Sequence, residues 1–181
     1  MVQNMKILGT IVNDTLTWDQ NCAHLIKKVN SRMALIRRAK EFGATKKELV
    51  HFWIVFCRGT IEQSCSVWDG SLTQENCQDL ERTQKTFAKL VLGKKYSNYE
   101  DALIKLNLHS LSKRRKKLCL NFAKSGVRNN TMRDLLQRKK KNHSMKMRKV
   151  QTHKIEVTNT ERYGRSAVPH MQSLLNAHHS N

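Results

Sequence analysis

Proline and glycine are scarce in this chain of 181 residues, which contains one proline and seven glycines. Both residues interrupt regular structure, so their scarcity favours long helices over a strand-rich sandwich. No run of about 18 apolar residues occurs, which argues against a membrane-spanning helix. Residues 1–5 lack the apolar core of a secretory signal, so we expect an intracellular protein, either nuclear or cytoplasmic.

Closely spaced cysteines of the kind that hold metals or disulfide frameworks are missing as well. The chain has five cysteines, an odd number, and none occurs in a C-x-x-C pattern. Structural zinc sites draw their thiolates and imidazoles from such pairs. We therefore interpret the cysteines as reduced, small apolar side chains, and the sequence predicts no metal and no cofactor. The five are Cys22, Cys57, Cys65, Cys77 and Cys119.

Acidic residues are the third deficit, with 14 Asp and Glu against 34 Lys and Arg and a formal net charge of +20. The imbalance is concentrated in residues 93–181, which contain 21 basic and 5 acidic residues. Such a charge attracts polyanions and releases their counterions on contact, so RNA or DNA is the expected partner. A membrane surface is not expected, because binding it calls for aromatic-rich amphipathic faces and aromatics are 6% of the chain.

Apolar periodicity predicts a mainly α fold. Over residues 19–41 apolar side chains recur at three- and four-residue steps, which indicates a helix with one buried face. Gly43 suits the left-handed position just after its end. A capping-box pattern at Thr45 and Glu48 opens a second helix, which extends to about residue 65. That helix is apolar nearly all round, so we expect it at the centre of a helical bundle.

Three more helices are expected in the middle of the chain. Thr73 is the predicted cap of the first, which ends at Gly93. A short helix should follow over residues 97–106, with Glu100 at its capping-box position, and another should run through residues 113–120.

The two ends of the chain differ from this pattern. Residues 6–12 are β-branched and apolar and indicate one short strand, which would need partner strands to be stable. After about residue 129 the periodicity fades, and residues 138–154 indicate a basic arm that is unfolded or loosely docked. An apolar patch at residues 168–175 indicates a short C-terminal helix beginning near Pro169.

Six short motifs in a fixed order carry a family resemblance. They are Ile7-Leu8-Gly9-Thr10-Ile11-Val12-Asn13, Leu16-Thr17-Trp18, Glu62-Gln63-Ser64-Cys65-Ser66-Val67-Trp68, Ser71-Leu72-Thr73, Leu80-Glu81 with Gln84 and Gly93, and Tyr99 with Ala102-Leu103, Leu106, Leu108, Leu111, Arg114-Arg115, Leu118-Cys119-Leu120 and Phe122. With these motifs, residues 5–125 resemble the region after the catalytic motif in jockey-like non-LTR retrotransposon reverse transcriptases. Gly59 and Ser66 stand where that family commonly has proline, which indicates relaxed constraint.

The resemblance implies a division of the chain into four segments. Residues 1–14 would be a strand left over from a palm sheet, with Leu8 and Gly9 on its primer-gripping edge. Residues 15–93 would be a thumb-like helical bundle. Residues 94–128 would be a basic helical extension, and residues 129–181 a basic, partly disordered arm with a short C-terminal helix.

No catalytic motif accompanies the resemblance. In that family, polymerisation uses two metal ions held by an aromatic-x-Asp-Asp motif upstream of the Leu-Gly strand. This chain contains no Asp-Asp pair, and Tyr99-Glu100-Asp101-Ala102 places a single aspartate where a helix start favours acids anyway. Phosphate-loop, nucleophile-elbow and zinc-protease motifs are also missing from the sequence. We therefore predict no catalytic residues and no enzyme activity.

Three groups of basic residues are the candidate nucleic-acid-binding sites. We expect them to contact the phosphate backbone rather than the bases, so that binding is independent of sequence. For the first two groups an ordinary solvated helix face is the competing interpretation, and the second group also resembles a nuclear-localisation signal. The groups are Lys27, Lys28, Arg32, Arg37 and Arg38; Lys113, Arg114, Arg115, Lys116 and Lys117; and Arg138, Lys139, Lys140 and Lys141, which Lys146, Arg148 and Lys149 extend.

Two functions follow from these observations. The first is a fragment derived from a retrotransposon RNA-directed DNA polymerase that retains only non-specific binding to the primer–template backbone of RNA or DNA. The alternative is a helical protein–protein interaction module, or an accessory piece that serves an upstream polymerase segment in trans.

Overall fold

The computed structural model describes residues 4–136, 153 and 160–179, and it confirms a mainly helical fold. The strands are β1 Asn4–Ile7 and β2 Thr10–Asn13. The α-helices are α1 Asp19–Glu41, α2 Lys46–Phe52, α3 Gly59–Glu62, α4 Cys65–Trp68, α5 Gln74–Leu92, α6 Tyr99–Leu106, α7 Leu111–Arg128, α8 Asn130–Arg133, α9 Glu161–Gly164 and α10 Ala167–His179. A π-helical segment, Trp53–Arg58, joins α2 to α3, and 3-10 turns occupy Asp69–Ser71 and Gly93–Lys95.

The single strand expected over residues 6–12 is instead an antiparallel hairpin. Strand β1 pairs with β2, with Ile7 opposite Thr10 and Asn4 opposite Asn13. Leu8 and Gly9 form the two-residue turn between them, and both have positive φ, 47° and 87°. Two-residue hairpin turns usually contain Asn-Gly or Asp-Gly. Because Leu8 stands at the first of these positions, the sequence pattern did not predict the turn. The backbone N–H of Ile11 donates to Oδ1 of Asn21 at 3.1 Å, which attaches the hairpin to α1.

Helix α1 has the predicted limits and nearly the predicted buried face. Its buried apolar side chains are Cys22, Leu25, Val29, Met33 and Ile36, and Ile26 is only half-buried. Gly43 follows the helix end with φ of 85°, as the sequence predicted. The N–H of Ala44 donates to the carbonyl of Ala39 at 2.9 Å, which satisfies one of the last carbonyls of the helix.

The second helical segment begins as predicted but ends earlier. The capping box is formed, because the backbone N–H groups of Glu48 and Thr45 each bond to the other's side chain. The π-helical turn follows, and the segment ends at Glu62 rather than at about Cys65, because Gln63 has a non-helical ψ of 125° and Ser64 a φ of 54°. It is not buried on all sides either, since Val55 and Phe56 are each 49% exposed.

The chain forms two compact units. The first comprises residues 1–64 and 72–114, and the second comprises residues 65–71 and 115–181. The four segments predicted from the sequence stay a prediction, although residues 65–71 belong to a different unit from the residues on either side. Helix α7 contributes its first four residues to the first unit and the rest to the second.

In the first unit, helix α1 packs along α5 and against the π-helical segment. The centre of its core is the pair Trp53 and Phe87, whose rings stack with centroids 4.6 Å apart. Helix α5 begins at the cap Thr73, as predicted, and its side chains Leu80 and Phe87 are fully buried. Helix α6 is capped by Asn98, with Asp101 at the third helical position, one residue later than the sequence indicated.

In the second unit, α10 packs against α4 and the turn Asp69–Ser71. Its apolar cluster consists of Ala123, Leu136, Met171 and Leu175. His153 is pinned to α10, because its N–H donates to Oδ1 of Asn176 at 2.8 Å and its carbonyl accepts from Nδ2 of that residue at 3.0 Å. The C-terminal helix begins at Ala167, two residues before the predicted start.

Candidate nucleic-acid interface

The five cations predicted on α1 are all found on that helix but do not share one face. Lys27, Arg37 and Arg38 are exposed, whereas Lys28 and Arg32 are half-buried. At 3.6 residues per turn, Lys27 and Arg38 lie on nearly the same side, while Lys28 and Arg32 lie about 100° or more around the helix. A single strand of nucleic acid lying along α1 could therefore contact only some of the five.

Arg32 is committed to holding the first unit together. Its Nη1 donates to the carbonyl of Phe56 and to the hydroxyl of Thr60. The same hydroxyl donates to the carbonyl of Phe56 at 3.0 Å. Arg32 thus satisfies backbone groups of the π-helical segment, and its guanidinium is poorly placed to serve a phosphate as well.

Carboxylates further weaken α1 as a phosphate-binding surface. An open groove between α1 and α5 is lined by Lys27 together with Asp19, Glu75 and Asp79. Three negative charges beside one lysine lower the local positive potential. We conclude that α1 is a weaker candidate than its sequence indicated.

Two other lysines of the first unit form hydrogen bonds with carbonyls at the C-terminal ends of helices. Nζ of Lys40 donates to the carbonyl of Leu90 at 2.5 Å, and Nζ of Lys46 donates to the carbonyl of Lys105 at 2.6 Å. Both carbonyls belong to the last turn of a helix, where cations interact favourably with the macrodipole. These lysines therefore have a structural role.

Helix α7 is the most one-sidedly charged element that the structure describes. Its 18 residues include seven cations and no carboxylate. Five of the cations are consecutive, and the fold divides them into two kinds. Lys113, Lys116 and Lys117 are exposed, whereas Arg114 is half-buried and Arg115 is buried.

Arg114 belongs to an ion-pair cluster in the first unit. Its Nη2 donates to Oε2 of Glu62 at 3.0 Å, and Nε of Arg58 lies 3.6 Å from Oε1 of the same carboxylate. Burial, and after it the nearby guanidinium of Arg114, lower the pKa of Arg58. One carboxylate thus serves two arginines, and the pairing occupies Arg114.

Arg115 is a correction to the predicted binding set. Its side chain is 1% exposed, and its Nε donates to Oδ1 of Asp69 at 2.7 Å. Its guanidinium also lies over the ring of Trp68, 5.9 Å from the centroid. A phosphate outside the protein cannot reach a side chain buried in this way, so Arg115 is removed from the candidate binding residues.

Four cations of α7 in the second unit point toward one side of the helix, and we call them the α7 stripe. They are Lys116, Lys117, Lys124 and Arg128. At 3.6 residues per turn they fall within about a third of the circumference, and from Lys117 to Arg128 they span about 16 Å along the axis. Phosphates of one duplex strand repeat every ~3.4 Å along the axis, so the stripe is long enough to meet several of them.

Lys124 and Arg128 were missed by sequence reasoning, although a signal for them existed. They follow Lys117 by seven and eleven residues, which is the spacing of one helix face, but no cation run marks them. Lys116, Lys117 and Arg128 are exposed, and Lys124 is half-buried with its Nζ 2.8 Å from Nε2 of His178. The stripe therefore combines two residues that were predicted with two that were not.

The remaining predicted residues are Leu8 and Gly9 and the cations of the arm. Leu8 is 88% exposed in the hairpin turn, and its carbonyl accepts from Nε2 of Gln63 at 2.9 Å. Arg138, Lys139, Lys140 and Lys141, together with Lys146, Arg148 and Lys149, lie outside the described residues.

Several residues of the sequence motifs meet in a buried hydrogen-bond network of the first unit. Nε1 of Trp53 donates to Oε1 of Gln84 at 3.2 Å, and Nε2 of Gln84 donates to the hydroxyl of Tyr99 at 2.9 Å. That hydroxyl donates to Glu81, which also accepts from the N–H groups of Leu111 at 3.0 Å and Ser112 at 3.1 Å. Burial, then the bond to Glu81, raise the pKa of Tyr99. Glu81 thus caps α7, and the network positions helices.

The acidic residues at the start of α6 also have structural roles. The N–H of Asp101 donates to Oδ1 of Asn98 at 2.9 Å, which is an N-cap bond. The carboxylate of Asp101 pairs with Lys105 at 2.7 Å and accepts from Ser97. These two bonds, that from Lys105 first, lower the pKa of Asp101. The geometry here is that of a helix start.

The chain was compared with protein-family models, with curated proteins and with solved structures, and none of the three comparisons gave a match. Among the described residues, none of the helices combines the length and the apolar character that crossing a membrane requires.

Proposed function

We propose that this chain is a non-catalytic nucleic-acid-binding protein that contacts the phosphate backbone of RNA or DNA without regard to sequence. The observation that carries the proposal is the α7 stripe, four cations on one side of a helix that contains no carboxylate. Base stacking is not part of the proposal, because the only aromatic residue of α7, Phe122, lies on the opposite side of the helix by its spacing.

The electrostatics favour the α7 stripe over the other basic groups. The α1 cations are dispersed around their helix, and Lys27 shares its groove with three carboxylates. Among the α7 cations, Arg114 and Arg115 pair with the carboxylates of Glu62 and Asp69, whereas three of the four stripe residues are exposed. The cations of residues 138–149 would add charge close to the stripe in sequence and strengthen the attraction.

The expected binding is weak and strongly dependent on salt. Sequence-independent complexes typically have dissociation constants of about 10⁻⁴ to 10⁻⁶ M at physiological salt. Four phosphate contacts should give a slope of log K against log salt of about −3 to −4, steeper for duplex DNA than for single strands. Anisotropy titrations of labelled 20-nucleotide RNA and DNA at several salt concentrations measure both quantities.

A charge-matched pair of variants separates local contact from overall charge. Replacing the four α7-stripe residues with glutamine should weaken binding by at least about tenfold and flatten the salt slope. The control variant has four exposed cations of the first unit replaced with glutamine, so it loses the same charge, and its affinity should change by less than about threefold. These cations are Lys27, Arg37, Arg38 and Lys47. Equal losses in the two variants, or no binding of the native chain at about 50 mM salt, would contradict the proposal.

We further propose that the chain descends from the region after the catalytic motif of a jockey-like non-LTR retrotransposon reverse transcriptase. The ordered motifs support this descent. Contacts between residues of different motifs support it as well. Glu62 pairs with Arg114, and the carbonyl of Cys65 accepts a hydrogen bond from Cys119. Residues that contact each other are expected to be kept together when a sequence diverges.

The descent is tested in the genome rather than in the protein. Reading the genomic DNA upstream of the codon for Met1 should reveal an aromatic-x-Asp-Asp motif, in frame or after a frameshift. Intergenic sequence without coding similarity to a polymerase palm would count against descent. That result would leave the binding proposal intact, because the two rest on different observations.

A second candidate function is favoured by the exposure of the hairpin. Every residue of β1 is exposed, and Ile7 and Leu8 are 50% and 88% exposed. Strand β1 alternates polar and apolar residues, and its only neighbour in the described part of the chain is β2. Its other edge could add an extended segment of another polypeptide, such as an upstream polymerase piece in trans. A monomer that melts cooperatively on its own would argue against a missing partner.

A further inference from the structure

Three metal-ligating side chains converge in the second unit, far from one another in sequence. They are Asp69 in the turn before α5, Cys119 in the middle of α7 and His170 in α10. One ligand atom of each lies within 4.8 Å of those of the other two. Cys119 is buried and the other two are half-buried, so the cluster lies beneath the surface rather than on it.

The histidine of this cluster has an unsatisfied nitrogen. Nε2 of His170 is buried and has no hydrogen-bond partner among the described residues. A buried polar atom left without a partner costs about 1–3 kcal/mol, so one that persists needs an explanation. An imidazole nitrogen that no neighbouring group occupies has a lone pair available for a metal ion.

Glycine at position 70 allows the imidazole to sit where it does. A Cβ at this position would lie 2.6 Å from Cγ of His170 and 2.8 Å from the carbonyl of Arg165, closer than real Cβ atoms come. The turn Asp69–Ser71 can therefore lie this close to α10 only because Gly70 has no side chain. The next residue fixes the approach, because the hydroxyl of Ser71 donates to the carbonyl of Arg165 at 2.9 Å.

Asp69 and Cys119 each form a hydrogen bond with a neighbouring group of the second unit. Arg115 donates to Oδ1 of Asp69 at 2.7 Å, and a carboxylate has a second oxygen with which to bind an ion. Sγ of Cys119 donates to the carbonyl of Cys65 at 3.6 Å. A donor such as Arg115 orients a carboxylate ligand and restricts its rotation, whereas Cys119 would give up its bond to Cys65 together with the thiol proton.

We propose that Asp69, Cys119 and His170 bind one divalent transition-metal ion, and that Zn²⁺ is the ion that fits them best. A thiolate, an imidazole and a carboxylate are the three donor types that zinc accepts, whereas Mg²⁺ and Ca²⁺ favour oxygen donors alone. Donor atoms around a tetrahedral zinc are about 3.3–3.8 Å apart. Shifts of about 1 Å in the side-chain positions would therefore bring these three donor atoms to the separations that a zinc ion requires. The thiol of Cys119 would lose its proton to solvent on binding.

The ion would cross-link three elements of the second unit that are far apart in the sequence. These are the turn Asp69–Ser71, helix α7 and helix α10. Three protein donors leave a fourth position for water or another ligand. The site lies on the buried side of α7, and it does not depend on the nucleic-acid-binding proposal.

Direct metal binding to the full chain tests the site. After treatment with a chelator, the native protein should bind one equivalent of Zn²⁺. With Co²⁺ it should give the visible absorption of a tetrahedral complex and a thiolate-to-cobalt charge-transfer band in the near ultraviolet. Zinc at a hundred times its dissociation constant should raise the melting temperature by about 5–10 °C.

Variants assign the ligands and provide the controls. His170→Gln should weaken Zn²⁺ and Co²⁺ binding at least about tenfold, and Cys119→Ser should remove the charge-transfer band. Cys77→Ser and His109→Gln, which alter residues of the first unit, should change neither the affinity for the two metals nor the charge-transfer band. Because Cys119 is buried and its replacement could unfold the second unit, the half-buried His170 variant and the cobalt spectrum of the native chain decide the matter. Absence of stoichiometric binding, or a band that survives Cys119→Ser and disappears with Cys77→Ser, would overturn the proposal.

Discussion

Replacing Arg115 with methionine should lower the free energy of unfolding by about 3–5 kcal/mol, the loss typical of breaking a buried ion pair. The side chains of Arg115 and Asp69 are 1% and 7% exposed, so the substitution leaves the carboxylate of Asp69 buried without its counterion. The contact of the guanidinium with Trp68 is lost as well. Thermal denaturation followed by circular dichroism measures the change.

The neighbours of Arg115 supply the controls for this experiment. Arg114→Met should cost less, about 1–2 kcal/mol, because Arg114 is more exposed and Glu62 keeps Arg58 as a partner. Lys116 is exposed, so Lys116→Met should change stability by at most about 0.5 kcal/mol. Adding Asp69→Asn to the Arg115 variant should recover part of the loss, since it removes the buried charge. Three equal losses would show that overall charge, rather than the buried pair, sets stability.

Replacing Trp53 with alanine should destabilise the first unit by a similar amount, about 3–5 kcal/mol. Trp53 is fully buried and stacks on Phe87, so its removal leaves a large cavity. It also removes the N–H that donates to Gln84, whose side chain is buried too. The same denaturation experiment reports the loss.

Two milder substitutions divide this effect into packing and hydrogen bonding. Trp53→Phe keeps an aromatic ring beside Phe87 but loses the indole donor and part of the volume, so about 1–3 kcal/mol should be lost. Val55→Ala alters the same helical segment at a residue that is 49% exposed and should cost less than about 1 kcal/mol. A Trp53→Ala variant no less stable than Val55→Ala would mean that this core is not what holds the unit together.

The local signals in the sequence predicted local structure well. The limits of α1, the left-handed Gly43, the capping box at Thr45 and the cap at Thr73 were all predicted, and the structure has all of them. Each depends on residues at most a few positions apart. The errors arose where a turn uses uncommon residues, as at Leu8 and Gly9, or where a strained residue such as Ser64 ends a helix.

The basic run at residues 113–117 shows the limit of sequence reasoning about a site. Five consecutive cations look alike in a sequence, yet the fold pairs Arg114 with Glu62 and buries Arg115 against Asp69, 52 and 46 residues away. A charge contributes to a binding surface only if no tertiary partner neutralises it. That partner is invisible until the fold brings distant carboxylates into contact.

By itself, then, the sequence determined the helical class and the positive charge, because composition and short-range spacing specify them. Only the tertiary structure decided which cations face outward, which are internal partners, and that Asp69, Cys119 and His170 meet. The lack of closely spaced cysteines led us to predict no metal site, because that rule considers only residues that are near one another in the sequence. The fold brings together three side chains of metal-binding type that are ~50 residues apart, because contact in a folded chain depends on distance in space and not along the chain.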